Sequence, residues 1–202
     1  MPPIESNLGP ISRYLADDHE RLDRCLNSAV TPSGAIDQAS YEEFRAGLLR
    51  PIGIEEKILF PASQRANGGN PHPTVARLHR DHGAMALLLV PTPTADLVAE
   101  VRSILEAHNE IEEGHDGVYA ACDRLLGDEL QAVLEQLKAY PPVKVAPHFD
   151  GAGTVRRAED ALSNCLAAIE IVLCRSKITS DNCCPGSDLE IIELQVRVQL
   201  GA

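Results

Sequence analysis

Ala95–Leu126 reads ADLVAEVRSILEAHNEIEEGHDGVYAACDRLL, and its apolar residues Leu97, Val101, Ile104, Ile111, Val118, Cys122 and Leu125 recur at steps of three, four or seven. That spacing predicts one long α-helix whose stripe packs as a seam against neighbouring helices. His108 sits inside the stripe, four residues after Ile104 and three before Ile111, and Glu112 follows it by four. Thr92 and Thr94, beside the Pro91-Thr92-Pro93-Thr94 breaker, are both candidates for the N-cap.

Three earlier segments repeat the pattern. The first runs from about Ile11 to Val30, with Ile11, Leu15, Leu22 and Leu26 in line, and ends at Thr31-Pro32-Ser33-Gly34. The second, about Gln38 to Ala66, carries Tyr41, Phe44, Leu48, Ile52, Ile58 and Leu59 and closes at Asn67-Gly68-Gly69-Asn70-Pro71. The third, about Thr74 to Val90, aligns Val75, Leu78, Met85 and Leu89. Long amphipathic helices joined by short breakers predict an all-α, up-down-up-down four-helix bundle. Asp128–Lys138 reads as a short extra helix stopped by Tyr140-Pro141-Pro142.

The expected division is a helical bundle over 1–140 and a C-terminal extension over 141–202. In the extension, Pro147–Gly151 reads as a loop and Val155–Leu173 as one more helix. The run Leu189–Val198 suits a strand as well as a helix, and a flexible tail is the other reading.

The chain has 202 residues, enough to bury a real core. Its 30 acidic and 18 basic residues give a net charge of −12, a field that repels phosphate backbones and argues against nucleic acid and anionic membranes as partners. No segment reaches the roughly 18 consecutive apolar residues of a membrane span. Met1–Pro10 does not read as a secretory signal, so a cytoplasmic location is expected. The six cysteines, Cys25, Cys122, Cys165, Cys174, Cys183 and Cys184, are scattered without a C-x-x-C pair. They read as small core residues of a reducing compartment, with the Cys183-Cys184 pair left open as reactive or disulfide-linked.

Polar residues inside the apolar stripes are the functional signal. His19 lies between Leu15 and Leu22, His82 between Leu78 and Met85, and Glu55 between Leu48 and Leu59. A buried carboxylate without a partner costs several kcal/mol, so inward His and Glu from four helices call for a cation. His108 and Glu112, one turn or about 6 Å apart, reach the same point. Imidazole and carboxylate without thiolate suit iron, manganese or zinc better than copper(I) or an iron–sulfur cluster. A single inward His is more often a hydrogen-bonded core residue; the convergence of four helices is what favours a cation. His72, His79 and His148 read as surface or loop residues, and Glu56, Glu110 and Glu113 as solvated or as supports behind the ligands. His115, seven residues after His108, reads as a partly buried structural His; as a ligand it would need helix two re-routed.

These stretches resemble the hemerythrin-like (HHE) cation-binding domains over residues 11–138. Leu15–Leu22, LADDHERL, is similar to the family's opening His motif. Arg50–Pro61, RPIGIEEKILFP, resembles its second-helix signature, Arg80–Gly83, RDHG, its third-helix His, and Ala107–Glu113, AHNEIEE, its His–x3–Glu. The resemblance implies a di-iron, non-haem site with ligands His19, Glu55, His82, His108 and Glu112, and oxygen binding, nitric oxide sensing or iron handling as the activity. A small diatomic ligand or peroxide is the implied partner. One departure is Pro51, where the family has a His: Pro cannot ligate, and it should kink the second helix, which Gly53 weakens further. Two ions with water in the gap, one ion, or a degenerate site all remain open.

Tyr14, Tyr41, Phe60 and Tyr119 are candidates to screen the pocket. A ferritin-like oxidase needs Glu-x-x-His twice, and only Glu112-x-x-His115 fits. A metal-free bundle acting as a binding or regulatory module is the remaining alternative. No acid–base residue can be named, so enzymatic activity is left open.

Overall fold

The computed structural model describes residues 8–166. It is all-helical; among the described residues there is no strand, and the one isolated bridge joins Val30 and Ile36. Cys174, Cys183-Cys184, the 189–198 run and the 167–173 part of the expected helix lie outside the described residues.

Helix α1, Pro10–Ser28, begins with Pro at its first position, where the missing N–H costs nothing. Its free Ile11 and Ser12 amides donate to the Asp123 carboxylate at 3.0 Å each, a cap supplied from a distant helix. Helix α2, Gln38–Ile54, is capped by Asp37, whose side chain accepts from the Ser40 amide at 2.8 Å. The rod continues through a π turn, Glu55–Leu59, into α3, Phe60–Ala66. Pro51 therefore does not end the rod. Regular α geometry gives way four residues later, in the π turn. At Gly53 a Cβ would lie 2.6 Å from the Tyr140 hydroxyl, so the glycine admits that ring against the helix.

Helix α4 spans Val75–Leu88 and α5 spans Ala95–Glu113. Thr94 is the cap of α5, accepting from the Leu97 amide at 3.1 Å, while Thr92 donates its hydroxyl to Asp150. The long helix expected over 95–126 is broken. After Glu113 the chain turns at Gly114–Gly117 and restarts as α6, Val118–Leu126. Gly117 is required there, because a Cβ would stand 2.4 Å from the Glu112 carbonyl oxygen. Helix α7, Leu130–Ala139, follows a short 3-10 turn, and Arg50 donates to the carbonyls of Leu137, Lys138 and Tyr140 at its C-terminal end. Helix α1 packs on α2 and α6, and α4 packs on α5.

Residues 148–165 lie against the same body. The Phe149 amide donates to the Val90 carbonyl at 3.0 Å, and Val155, Ala161 and Cys165 are buried in the core formed by α1, α2, α4 and α5. A helix starts at residue 158 and runs to the edge of the described residues.

The apolar interior comes in two clusters. One holds Leu22, Phe44, Ile52, Met85 and Ile104; the other holds Leu15, Leu59, Leu78, Val118 and Cys122. Each stripe crosses from one cluster to the other at its polar residue: Leu15 to Leu22 at His19, Ile52 to Leu59 at Glu55, Leu78 to Met85 at His82. The polar groups thus form one layer between two apolar cores.

Candidate metal centre

The π turn explains how two consecutive glutamates both face inward. Widening the turn to i→i+5 hydrogen bonds reduces the rotation per residue, so neighbours diverge less around the axis. Glu55 and Glu56 are both buried, and they flank one imidazole: His82 Nε2 lies 3.1 Å from Glu55 Oε2, and His82 Nδ1 lies 2.5 Å from Glu56 Oε1. The second Glu56 oxygen lies 2.6 Å from His79 Nδ1. His79 is therefore not a bystander on the surface.

His108 Nε2 is 3.2 Å from His82 Nε2 and 3.1 Å from Glu112 Oε1, and His82 Nε2 is 3.7 Å from that same oxygen. Donor atoms from Glu55, His82, His108 and Glu112 all lie within 4.8 Å of one another, and all four residues are buried. Asp81 stands behind His108, its Oδ2 3.9 Å from Nδ1.

Two of the inward imidazoles have a carboxylate hydrogen-bonded at their back: Glu56 Oε1 lies 2.5 Å from Nδ1 of His82, and Glu113 lies 2.7 Å from Nδ1 of His19. Asp81, at 3.9 Å from His108 Nδ1, is beyond hydrogen-bond reach, and that nitrogen is buried without a hydrogen-bond partner. Such a partner favours the Nδ1–H tautomer, which leaves the Nε2 lone pair pointing inward. Two lone pairs 3.2 Å apart repel unless a proton or a cation lies between them. Ligand bonds of about 2.1 Å to a shared ion give ligand–ligand edges of about 3.0–3.4 Å. Three of the contacts given above, at 3.1, 3.2 and 3.1 Å, fall in that range. Glu112 Oε1 is moreover buried with no hydrogen bond, an orphan acceptor turned toward the two imidazoles. The residues fit a divalent cation.

His19 is set apart. Its Nε2 is 3.7 Å from Glu112 Oε2 and 3.3 Å from the Tyr119 hydroxyl, and it is not among the four whose donor atoms converge. Tyr119 occupies this end: its hydroxyl lies 2.5 Å from Glu55 Oε1 and 2.8 Å from Glu112 Oε2. The phenol reaches Glu112, seven residues earlier, because the Gly114–Gly117 turn folds α6 back; in an unbroken helix the two would be about 10 Å apart along the axis. The same turn carries His115 to an exposed position, away from the site. Of the aromatic residues expected to screen the pocket, Phe60 stacks on His82 with ring centroids 6.2 Å apart and Tyr119 enters the site itself. Tyr41 packs on Phe44 and His148, and Tyr14 accepts from Arg50.

Without an ion, protons hold the layer together. Burial opposes charge on His82, but Glu112, Glu55 and Glu56 outweigh it and hold the imidazole well above its ordinary pKa. Burial likewise opposes charge on His19, yet Glu113, then Glu112 and Glu55, raise it to about 9. Burial and the Glu112 charge push Glu55 up, whereas His108 and His82 override burial and hold Glu112 well below the usual carboxylate range. Glu56, between two imidazoles, is held at about 2 in spite of its burial. Burial and the two carboxylates drive the Tyr119 phenol well above its ordinary value, so it serves as a hydrogen donor.

Among the described residues, no helix is long and apolar enough to cross a membrane. Comparison of the chain with protein-family models, with curated proteins and with solved structures found no match.

Proposed function

We propose that the protein is a non-haem iron protein of hemerythrin-like type, built as a four-helix bundle, that holds one iron ion between Glu55, His82, His108 and Glu112. The single observation carrying this reading is the 3.2 Å approach of the His82 and His108 Nε2 atoms beside the unsatisfied Oε1 of Glu112. The donor set suits iron, manganese or zinc alike; the choice of iron, and of dioxygen or nitric oxide as the molecule it meets, rests on the resemblance of the four helical motifs.

Iron with fewer protein ligands than its coordination number supplies an open position for a small molecule. The chain's residues do the rest. Glu56 orients the His82 imidazole, Phe60 covers it, and the two apolar cores keep bulk water from the layer. Tyr119 holds a proton at its hydroxyl between Glu55 and Glu112, so it blocks the approach of a second cation and fixes both carboxylates.

Anaerobic thermal melting with and without ferrous iron tests the proposal. A ligand bound only by the folded state at a thousandfold excess over its Kd adds about 4 kcal/mol, or roughly 8–16 °C for a chain of this size. Coincident melting curves at saturating iron would count against any site. A metal-free regulatory bundle is the reading that result would leave.

A further inference from the structure

Pro51 stands inside α2, four residues before Glu55. It has no N–H, so the Gly47 carbonyl four residues back lacks the helical hydrogen bond it would otherwise receive. Proline also crowds the residue before it and pushes that residue toward extended angles, yet Arg50 is helical. Gly53 adds no side chain to stiffen the next turn. Regular geometry then gives way: the Phe60 amide donates to the Glu55 carbonyl, five residues back. Local preference alone therefore does not fix the rod over residues 50–59, where register decides whether Glu55 and Glu56 meet His82.

The end of α7 supplies the missing support. Arg50 Nε donates to the Tyr140 carbonyl at 3.2 Å, and its Nη2 lies within 3.3 Å of the carbonyls of Leu137, Lys138 and Tyr140. Its Nη1 donates to the Tyr14 hydroxyl of α1 at 3.2 Å. The guanidinium thus sits where the dipole of α7 favours a cation, and its rigid planar fork joins three helices. Gly53 and Ile54, three and four residues on, share the face of α2 that carries Arg50. The Tyr140 ring lies against Gly53, and Ile54 is buried in the same apolar cluster as Leu137. A cap serving α7 alone would need neither the Tyr140 ring on Gly53 nor the Tyr14 contact.

We propose that Arg50 is a positioning residue for the metal centre: it splints α2 to the end of α7 across Pro51, and so holds the π turn in the register that sets Glu55 and Glu56 on either side of His82. The inference rests on the metal reading above for its purpose, and on the contacts between α2 and α7 for its geometry. Glu56 Oε1 is 2.5 Å from His82 Nδ1, and Glu55 Oε2 is 3.1 Å from His82 Nε2. One residue of helical register is about 100° of rotation, so a slip of a fraction of that takes both carboxylates off the ring.

Two measurements on the full chain test this, and the first needs no metal. Imidazole nitrogen resonances of the metal-free protein report what His82 Nδ1 faces. In Arg50→Ala those of His82 should move, while those of His148, paired with Glu42 about two turns earlier on α2, should stay. Arg50→Gln, read in the same way, stands in should the Ala variant not fold. The second measurement is ferrous affinity, by anaerobic titration against a competing chelator. Arg50→Ala should weaken it by about 10–100-fold, the usual cost of disturbing what orients a ligand. Leu97→Ala truncates a buried side chain at the start of α5, so it should lower the melting temperature and leave both affinity and the His82 resonances alone. Arg50→Lys keeps a cation at the end of α7 without the fork, so it should recover the melting temperature but not the affinity. Unmoved His82 resonances or wild-type affinity in Arg50→Ala, or full recovery of affinity in Arg50→Lys, would overturn the proposal. Shifted His82 resonances in Arg50→Ala, beside a wild-type chain that takes up no iron, would uphold the splint and sink the iron reading instead.

Discussion

The two ends of the polar layer are built from the same residue types and do different things. At the inner end, His82 and His108 present facing lone pairs 3.2 Å apart, with a carboxylate oxygen 3.1 Å from each. At the outer end, His19 is the one imidazole, and a single phenol O–H lies between the other oxygens of Glu55 and Glu112. Both ends are buried and both are crowded with acceptors, so burial and acidity do not decide which holds a cation. The supply of protons does. Tyr119 brings to the outer end a donor that keeps its proton, whereas at the inner end the proton is held by His82, where a cation can displace it.

The largest effect should come from breaking the inner end. His82→Ala should abolish iron binding, measured as iron per chain after anaerobic loading and desalting, while His19→Ala should keep the ion. The reverse pattern would mean that the two ends have been assigned the wrong way round.

Glu56→Gln sharpens the comparison without removing a donor atom. Loss of the carboxylate behind His82 and His79 should weaken iron affinity by about 10–100-fold, the usual cost of disturbing a group that orients a ligand. Anaerobic titration against a competing chelator reads this directly, and an unchanged affinity would show that Glu56 does not set the His82 tautomer.

Tyr119→Phe addresses the outer end. Two buried carboxylate oxygens lose the one O–H they share, so the metal-free protein should lose about 1–3 kcal/mol in denaturant unfolding. Iron at the inner end should remain at one per chain. A rise to two ions per chain would show that the phenol is what keeps the second cation out.

A further effect is that of pH on the metal-free protein. The folded-state pKa of His19 is raised from 6.5 to about 9. Its contribution to stability is therefore complete below pH 6.5 and is lost as pH rises through about 9. His82 and His108 are shifted in the same direction. The metal-free melting temperature should fall across that window. Iron needs the neutral imidazoles, so its affinity should rise over the same range and the gap between loaded and unloaded curves should widen. A gap that narrows toward pH 9 would contradict competition between protons and metal for the same lone pairs.

Much of this was legible in the sequence because it is periodic. The stripes through Leu15, Leu78 and Ile104, and the polar residues that interrupt them, follow from helical geometry alone, and Glu55, His82, His108 and Glu112 do meet. What was not legible depends on departures from regular helix or on contacts far apart in the chain. Ile111 and Val118 keep a seven-residue step across Gly114–Gly117, so the stripe masks the break even though two glycines in four residues were its signal. With the break hidden, Tyr119 reads as a screen with no place against Glu112, and His115 reads as partly buried although it is exposed. Glu56 reads as solvated or as a support behind the ligands, and it takes the second place in the π turn, against His82. Glu113 meets His19 across 94 residues of chain, a pairing that no local pattern records.

The most direct test of the one-sided centre is the number of iron ions per chain. Wild-type protein loaded anaerobically with ferrous iron and desalted should hold one ion per chain by elemental analysis, and the His82→Ala/His108→Ala double variant should hold essentially none. Equal iron in the two proteins, or two ions per chain in the wild type, would contradict the account.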